Sequence, residues 1–405
     1  MELSNYTEKQ IEVFECFIYD NPKILICSGA KRAGKTYILT KIFISHIAQY
    51  KNKGYSFIIG GATQSSIRRN ILNDLENILG REIRLSKDNH FKLFGNNVYV
   101  FDGANADSYK KMRGFTSYGA FLNEATTLHD SFVKEAISRC SGEGARIYMD
   151  TNPENPTHTV KVDYVDKDGQ KLSNGQLNIK AFNFTLYDNT FLNKEYIESI
   201  EASTPTGMFY DRDILGVWVA SEGVVYKDFN KDIHYIKDLN NIDIIKYFVG
   251  VDFGWEHFGS MVVVGKDTND NCYLIKEYAY QHKDIEEWIN IAKDIKDQYG
   301  NINFYCDHAR PDYIDKLRRN NIRAINANKN VLEGISTIAS LFKTNKLFIL
   351  EDNVDIFKKE INNYVWKSGK DEPIKQNDDV LDSLRYAIYS ENKVGNKFDR
   401  NKFNL

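Results

Sequence analysis

The chain carries few cysteines: Cys16, Cys27, Cys140, Cys272 and Cys306, with no close pair among them. That scatter excludes a disulfide framework and a clustered zinc site, and the apolar surroundings mark the thiols as buried. No apolar run approaches the ~20 residues that a membrane-spanning helix requires. The opening MELSNYTEKQ lacks the basic and then apolar order of a secretory signal, so the expected location is cytosolic. Neither sign of charge dominates. A formal net charge of −3 excludes indiscriminate attraction to nucleic acid, so any contact with a polyanion has to be local. There is no internal repeat, and the polar stretch ENKVGNKFDRNKFNL is expected to form a flexible tail.

What is present is an ordinary globular composition, 42% hydrophobic and 27% charged, in 405 residues, enough for two or three domains. In the first half KILICSG, YSFIIGGA, NVYVFDG, YGAFLNEA and ARIYMDTNP have the pattern of buried strands. TYILTKIFISHIAQYK and QSSIRRNILNDLENILG have helical periodicity. Such alternation predicts an α/β sheet with helices on both faces. After TNPENP the pattern weakens. DKDGQKLSNGQ is expected to form a polar hairpin or loop, TFLNKEYIESIEAS a helix, and GVWVASEGVVYKDF a connector. From about residue 245, YFVGVDFG, GSMVVVGKD and CYLIKEYAY predict a three-stranded meander. A helix, the strand NFYCDHA, the helix PDYIDKLRRNN, the short strand RAINA and C-terminal helices follow. The expected division is a first domain over 1–220 with a lid-like segment near 155–220, a linker over 221–240, a second domain over 241–392 and a tail over 393–405.

Gly29, Ala30, Lys31, Arg32, Ala33, Gly34, Lys35 and Thr36 spell G-x-x-x-x-G-K-T between a buried strand and an apolar helix. In that setting backbone N–H groups converge on phosphate at a helix N-terminus. Lys35 would reach the β and γ phosphates, and Thr36 would ligate Mg²⁺. The bland alternative is a Gly-rich turn. Glu124, just past the strand YGAFLN, could orient an attacking water, or it could cap the helix that follows. The residue before it, where an aspartate ordinarily helps hold Mg²⁺, is the uncharged Asn123. Thr151 or Asn152 at the next strand end could sense the γ-phosphate, or could simply form a turn.

In the second half Asp252 and Asp307 end strands, while Asp378, Asp379 and Asp382 open a helix on which Asp379 and Asp382 share a face. Gathered acids repel unless a cation sits among them. Two Mg²⁺ or Mn²⁺ ions about 3.5–4 Å apart would provide that charge and could clamp both oxygens of a phosphodiester displacement. The order of strand acid, meander, helix, strand acid and helix acid predicts an RNase-H-like sheet. Singly, Asp252 could begin a turn, Asp378 could be an N-cap, and His308 beside Asp307 is more often a strand-end histidine than a ligand. Segment 310–346 holds eight Lys or Arg against three acids, which suits DNA backbone contact or a solvated helix face.

Taken in order, GAKRAGKT, MRGFTSYGAFLNEAT, TNPENPTH, GVWVASEGVVYKDF, VGVDFG, YCDHA and NDDVLDSLRYA resemble the large subunit of tailed-phage terminase, in the form also found in defective prophages of Gram-positive bacteria. The resemblance covers nearly the whole chain. It implies an N-terminal P-loop ATPase that moves double-stranded DNA through a portal protein into a procapsid, and a C-terminal RNase-H-like endonuclease that cuts the concatemer. Implied cofactors are ATP and Mg²⁺, with Mn²⁺ an alternative at the nuclease site. Implied partners are the portal, a small terminase subunit and further copies of the chain in a packaging ring, with no membrane. The implied place is the host bacterial cytoplasm rather than the mature virion.

By position, residues 29–36 match the phosphate loop, Glu124 the catalytic carboxylate, and Asp252, Asp307 and Asp382 the nuclease metal ligands. Asp379 falls where relatives often place another ligand. The resemblance also implies Arg32 as a trigger and Gln10 of YTEKQIEVF as a reader of adenine, against the alternative of a surface helix glutamine. Two rival functions stay open. One is a P-loop helicase or repair ATPase with a non-catalytic C-terminal domain; the other is a docking protein whose nucleotide loop has degenerated, as Asn123 would suggest.

Overall fold

Every residue of the first strand, β1 (Ile24–Gly29), is buried, as expected of a strand covered on both sheet faces. Its side chains alternate between two cores. Leu25 and Cys27 join Ile38, Ile42 and Phe43 of the helix Lys35–Gln49, while Ile24 and Ile26 meet Phe132, Val133 and Ala136 of the helix Asp130–Arg139. These helices therefore lie on opposite faces. The computed structural model describes residues 5–376 and 378–399, the stretch 394–399 as backbone only. The sheet is completed by β2 (Ser56–Gly61), β3 (His90–Leu93), β4 (Asn96–Asp102), β5 (Gly119–Leu122), β6 (Arg146–Thr151) and β7 (Ile179–Phe184). Its order is β3-β4-β2-β5-β6-β1-β7, with only β3 antiparallel to its neighbour.

The second sheet contains β8 (Tyr235–Ile236), β9 (Ile244–Asp252), β10 (Gly259–Asp267), β11 (Cys272–Tyr280), β12 (Asn303–Cys306), β13 (Arg323–Asn326) and β14 (Leu347–Leu350). It is ordered β13-β12-β9-β10-β11-β14-β8. The expected antiparallel meander is β9-β10-β11, and β12 runs parallel to β9. Val249, Val251, Met261 and Val263 bury one face under the helices Ile285–Tyr299 and Pro311–Arg319. The helix Asp379–Asp399 covers the other face; at Gly250 a Cβ would lie 1.8 Å from the Ser383 carbonyl oxygen, so only glycine permits this approach.

The chain crosses between two compact units after Glu201, Phe209 and Ala220. Residues 202–209, expected within the first domain, group with the second unit. Residues 221–240, expected to be a linker, contribute the helix Lys231–His234 and β8, which pairs with β14. The final helix continues through Asp399, past the expected start of the tail, and 400–405 lie outside the described residues. All five cysteines are free and buried. No helix among the described residues is long and apolar enough to cross a membrane.

Candidate active sites at two sets of strand ends

In the first unit β5, β6 and β1 are adjacent and parallel, so the residues leaving their carboxyl ends meet at one sheet edge, where ligands of open α/β folds bind. β1 ends at Gly29, with φ 142°, where a Cβ would sit 2.0 Å from the Phe184 carbonyl oxygen. Gly34, with φ 89°, then turns the chain into the helix Lys35–Gln49. Ala30 and Ala33 are buried inside the loop. Lys35 is also buried, and its ammonium donates to the carbonyls of Gly29 (2.9 Å) and Ala30 (2.6 Å) and to Asn152 Oδ1 (3.1 Å). Burial lowers its pKa to about 8 despite Asp150 nearby. Ala33, Gly34, Lys35 and Asn152 line a cleft of about 400 Å³ together with Arg32, Thr36, Glu124 and Asp150.

Sequence reasoning did not single out Asp150, which the structure places at the centre of this edge. Its carboxylate accepts from Thr36 Oγ1, from Asn123 Nδ2 (3.0 Å to each oxygen) and from the Glu124 amide (2.7 Å). Burial raises its pKa, and these donors oppose the rise. Glu124 has φ 50° and makes no side-chain cap to the short helix after it, against the capping alternative. Burial first, then Asp150, raises its pKa. Of the two candidate sensors, Asn152 touches Lys35, whereas the Thr151 hydroxyl is taken up by Thr126.

Gln10 is buried rather than on the surface. Its oxygen accepts from the Thr7 amide (3.1 Å), and its Nε2 donates to the Gly34 carbonyl (3.1 Å), tying the first helix to the loop. A second recess adjoining the loop is lined by Tyr6, Gln10, Tyr37, Asn189 and Phe191. Arg32 is exposed over the Tyr196 ring at 5.7 Å, and Lys31 pairs with Asp213 at 3.0 Å.

In the second unit Asp252 and Asp307 leave the neighbouring strands β9 and β12, and the Asp307 amide donates to the Val251 carbonyl (2.9 Å). Ser260 on β10 anchors the final helix, donating to the Asp379 carbonyl (2.8 Å) and bonding the Ser383 hydroxyl (2.6 Å). That contact holds Asp379 and Asp382 over the strand ends. The acids feel one another: burial, then Asp382, Asp307 and Asp379, push Asp252 up to about 8. Burial works to raise the Asp307 pKa, but Lys329, paired with it at 2.5 Å, and the Ala309 amide together bring it below its ordinary value. Asp382 pairs at 2.8 Å with the buried Arg385. Burial raises Asp379 and pushes Asp378 up to about 6.

No three His, Cys, Asp or Glu side chains among the described residues converge as a group that could hold an ion. The capping expected of Asp378 falls to Glu360, whose carboxylate takes the Val380 and Leu381 amides at 3.0 Å each and is pushed up to about 8 by burial. No local pattern signals that long-range contact. His308 is exposed. In the basic segment Arg310, Lys316, Arg319, Lys329 and Lys343 each hold a carboxylate, which reduces the expected surplus of free positive charge.

The first unit thus has the fold and loop of a P-loop nucleotide-binding domain, and the second is an RNase-H-like domain with acids at its strand ends. The family model described as terminase large subunit, T4likevirus-type, N-terminal matches residues 26–231. The one described as terminase RNaseH-like domain matches residues 249–391. The chain belongs to the phage terminase large-subunit family. Its fold is similar to the large terminase of a thermophilic bacteriophage, at 29% identity and TM-score 0.79 over 94% of this chain and 98% of that one. The same phage protein in complex with ATP-γ-S matches at 29% identity and TM-score 0.76 over 95% and 99%, and its ADP complex at 29% and 0.77 over 94% and 98%. None of the curated proteins compared with the chain matches it.

Proposed function

We propose that this large terminase hydrolyses ATP at the β1–β5–β6 edge to drive double-stranded DNA through a portal into a procapsid, and that its second unit cuts concatemeric DNA. The observation that carries the motor half is the buried Lys35 ammonium, held by two loop carbonyls in the lining of the cleft. A cation kept there among neutral acceptors is poised for phosphate, and the similar thermophilic-phage terminase carries ADP or ATP-γ-S. In this reading the amides of residues 29–34 cradle phosphate and Lys35 neutralises its β and γ oxygens. Thr36 helps hold Mg²⁺, and Glu124 orients the attacking water. Arg32 couples the γ-phosphate to movement, and Gln10 sits where the base would be read.

In the nuclease half the chemistry of the donor set suits hard divalent cations: Asp252, Asp307, Asp379 and Asp382 offer oxygen ligands, and their mutual repulsion is offset in part by Lys329 and Arg385 and, at Asp379, by His257. Two Mg²⁺ or Mn²⁺ ions, when bound, would stabilise the attacking and leaving oxygens of phosphodiester cleavage. Partners in this reading are the portal, a small terminase subunit and further copies of the chain in a ring, in the cytoplasm of the bacterial host. The test of the motor half is Lys35→Ala in the full chain, measured by phosphate release from ATP. Hydrolysis is expected to be abolished; turnover equal to the native rate would remove the motor assignment.

A further inference from the structure

Asn123 leaves the ATPase reading without the acid that ordinarily shares the nucleotide's cation with the loop threonine. We propose that Asp150 supplies that carboxylate, and that positions 123 and 150 have exchanged the roles of acid and amide. The inference rests on the ATPase reading and specifies its metal site.

Four observations carry it. Leu122 on β5 pairs with Met149 on β6, so Asn123 and Asp150 are the next cross-strand neighbours along the same two strands. Moving the acid from one strand to the other displaces it by one strand spacing, about 4.8 Å. Because the order is β5-β6-β1, the displacement is toward the phosphate loop. Next, Asp150 already reaches Thr36 Oγ1, the other oxygen that would face the cation.

Third, the amide at 123 is oriented for the exchanged role. Its Oδ1 accepts from Asn70 Nδ2 (3.0 Å), which turns its NH₂ toward both oxygens of Asp150. An aspartate at 123 could not donate this bond and would bring a second negative charge to 3.0 Å. Fourth, Asp150 is 2% exposed, and its donors are a hydroxyl, an amide side chain and a backbone N–H, with no basic side chain among the described residues bonded to it. A buried carboxylate without a basic hydrogen-bond partner suits a site that a divalent cation completes. The Thr36 hydroxyl proton would rotate away to present its lone pair.

The test compares the native full-length chain, Asp150→Asn, and the exchange variant Asn123→Asp/Asp150→Asn. Mn²⁺ is titrated into each with and without saturating ADP, free Mn²⁺ is read by electron paramagnetic resonance, and the ADP-dependent part of the binding is compared, which leaves out any ions held at the nuclease acids. ADP binding to the native chain in EDTA is measured alongside. Asp150→Asn is expected to weaken Mn²⁺ binding by at least about tenfold, and the exchange variant to recover most of that loss. An Mn²⁺ affinity unmoved by Asp150→Asn, or an exchange variant that binds ADP yet stays as weak as the single variant, overturns the proposal. If Asp150→Asn does not fold, the exchange variant decides alone, because it keeps the acid and the amide. Failure of the native chain to bind ADP at all would overturn the ATPase reading instead, which separates the two failures.

Discussion

His46, near the end of the phosphate-loop helix, packs edge-on against Tyr50, Phe57 and Tyr148. Burial, with Arg146 and Lys23 nearby, lowers its pKa from 6.5 to about 4. The unfolded chain therefore takes up a proton in that interval that the folded chain refuses. The stability in question is complete above pH 6.5 and is lost as pH falls toward 4. The loss reaches roughly 3 kcal/mol. Denaturant unfolding at pH 7 and pH 5 should show the first unit weakening in acid, and His46→Gln should flatten that dependence. An unchanged slope in the variant would place the sensitivity elsewhere. Arg32 is the other residue with a sharp expectation: Arg32→Ala should keep ADP binding while slowing ATP turnover, and unchanged turnover would make it a surface arginine stacked on Tyr196.

At this scale the phosphate loop was legible because eight consecutive residues carry it. Asp150 was not, because its partners Thr36, Asn123 and Glu124 are distant in sequence and are joined only by strand order. The missing acid at 123 was visible, but its replacement across the sheet was not.

Among elements, the buried parallel strands β1, β2, β5 and β6 announced themselves as apolar runs. β7 did not, since NIKAFNF is a partly exposed edge strand whose inward positions are few. β3 is four residues long and antiparallel, too short for a periodic signal. The seating of the final helix on β9 depends on Gly250, which the sequence presented only as part of VGVDFG. Gly250→Ala would push a methyl group against the Ser383 carbonyl, whose helix backbone cannot step aside as a flexible side chain could. Overpacking of this kind costs roughly 3 kcal/mol. Thermal unfolding should show the second unit destabilised and cleavage weakened, because the helix carries Asp379 and Asp382. A variant as stable as the native chain would contradict that close approach.

For the whole molecule, the order of motifs foretold two α/β sheets and the terminase family, while the path between units was harder to read. The segments 202–209 and 221–240 join the second unit through contacts such as the pairing of β8 with β14, and no local pattern encodes such pairings. The central claim is that one chain couples nucleotide hydrolysis to a separate DNA-cutting centre. The most direct test assays Asp252→Ala for plasmid cleavage with Mg²⁺ or Mn²⁺ and for ATP hydrolysis in the same preparation. Cleavage should fall to background while ATP turnover persists. Undiminished cleavage would contradict the two-centre account and favour an ATPase whose C-terminal acids are structural.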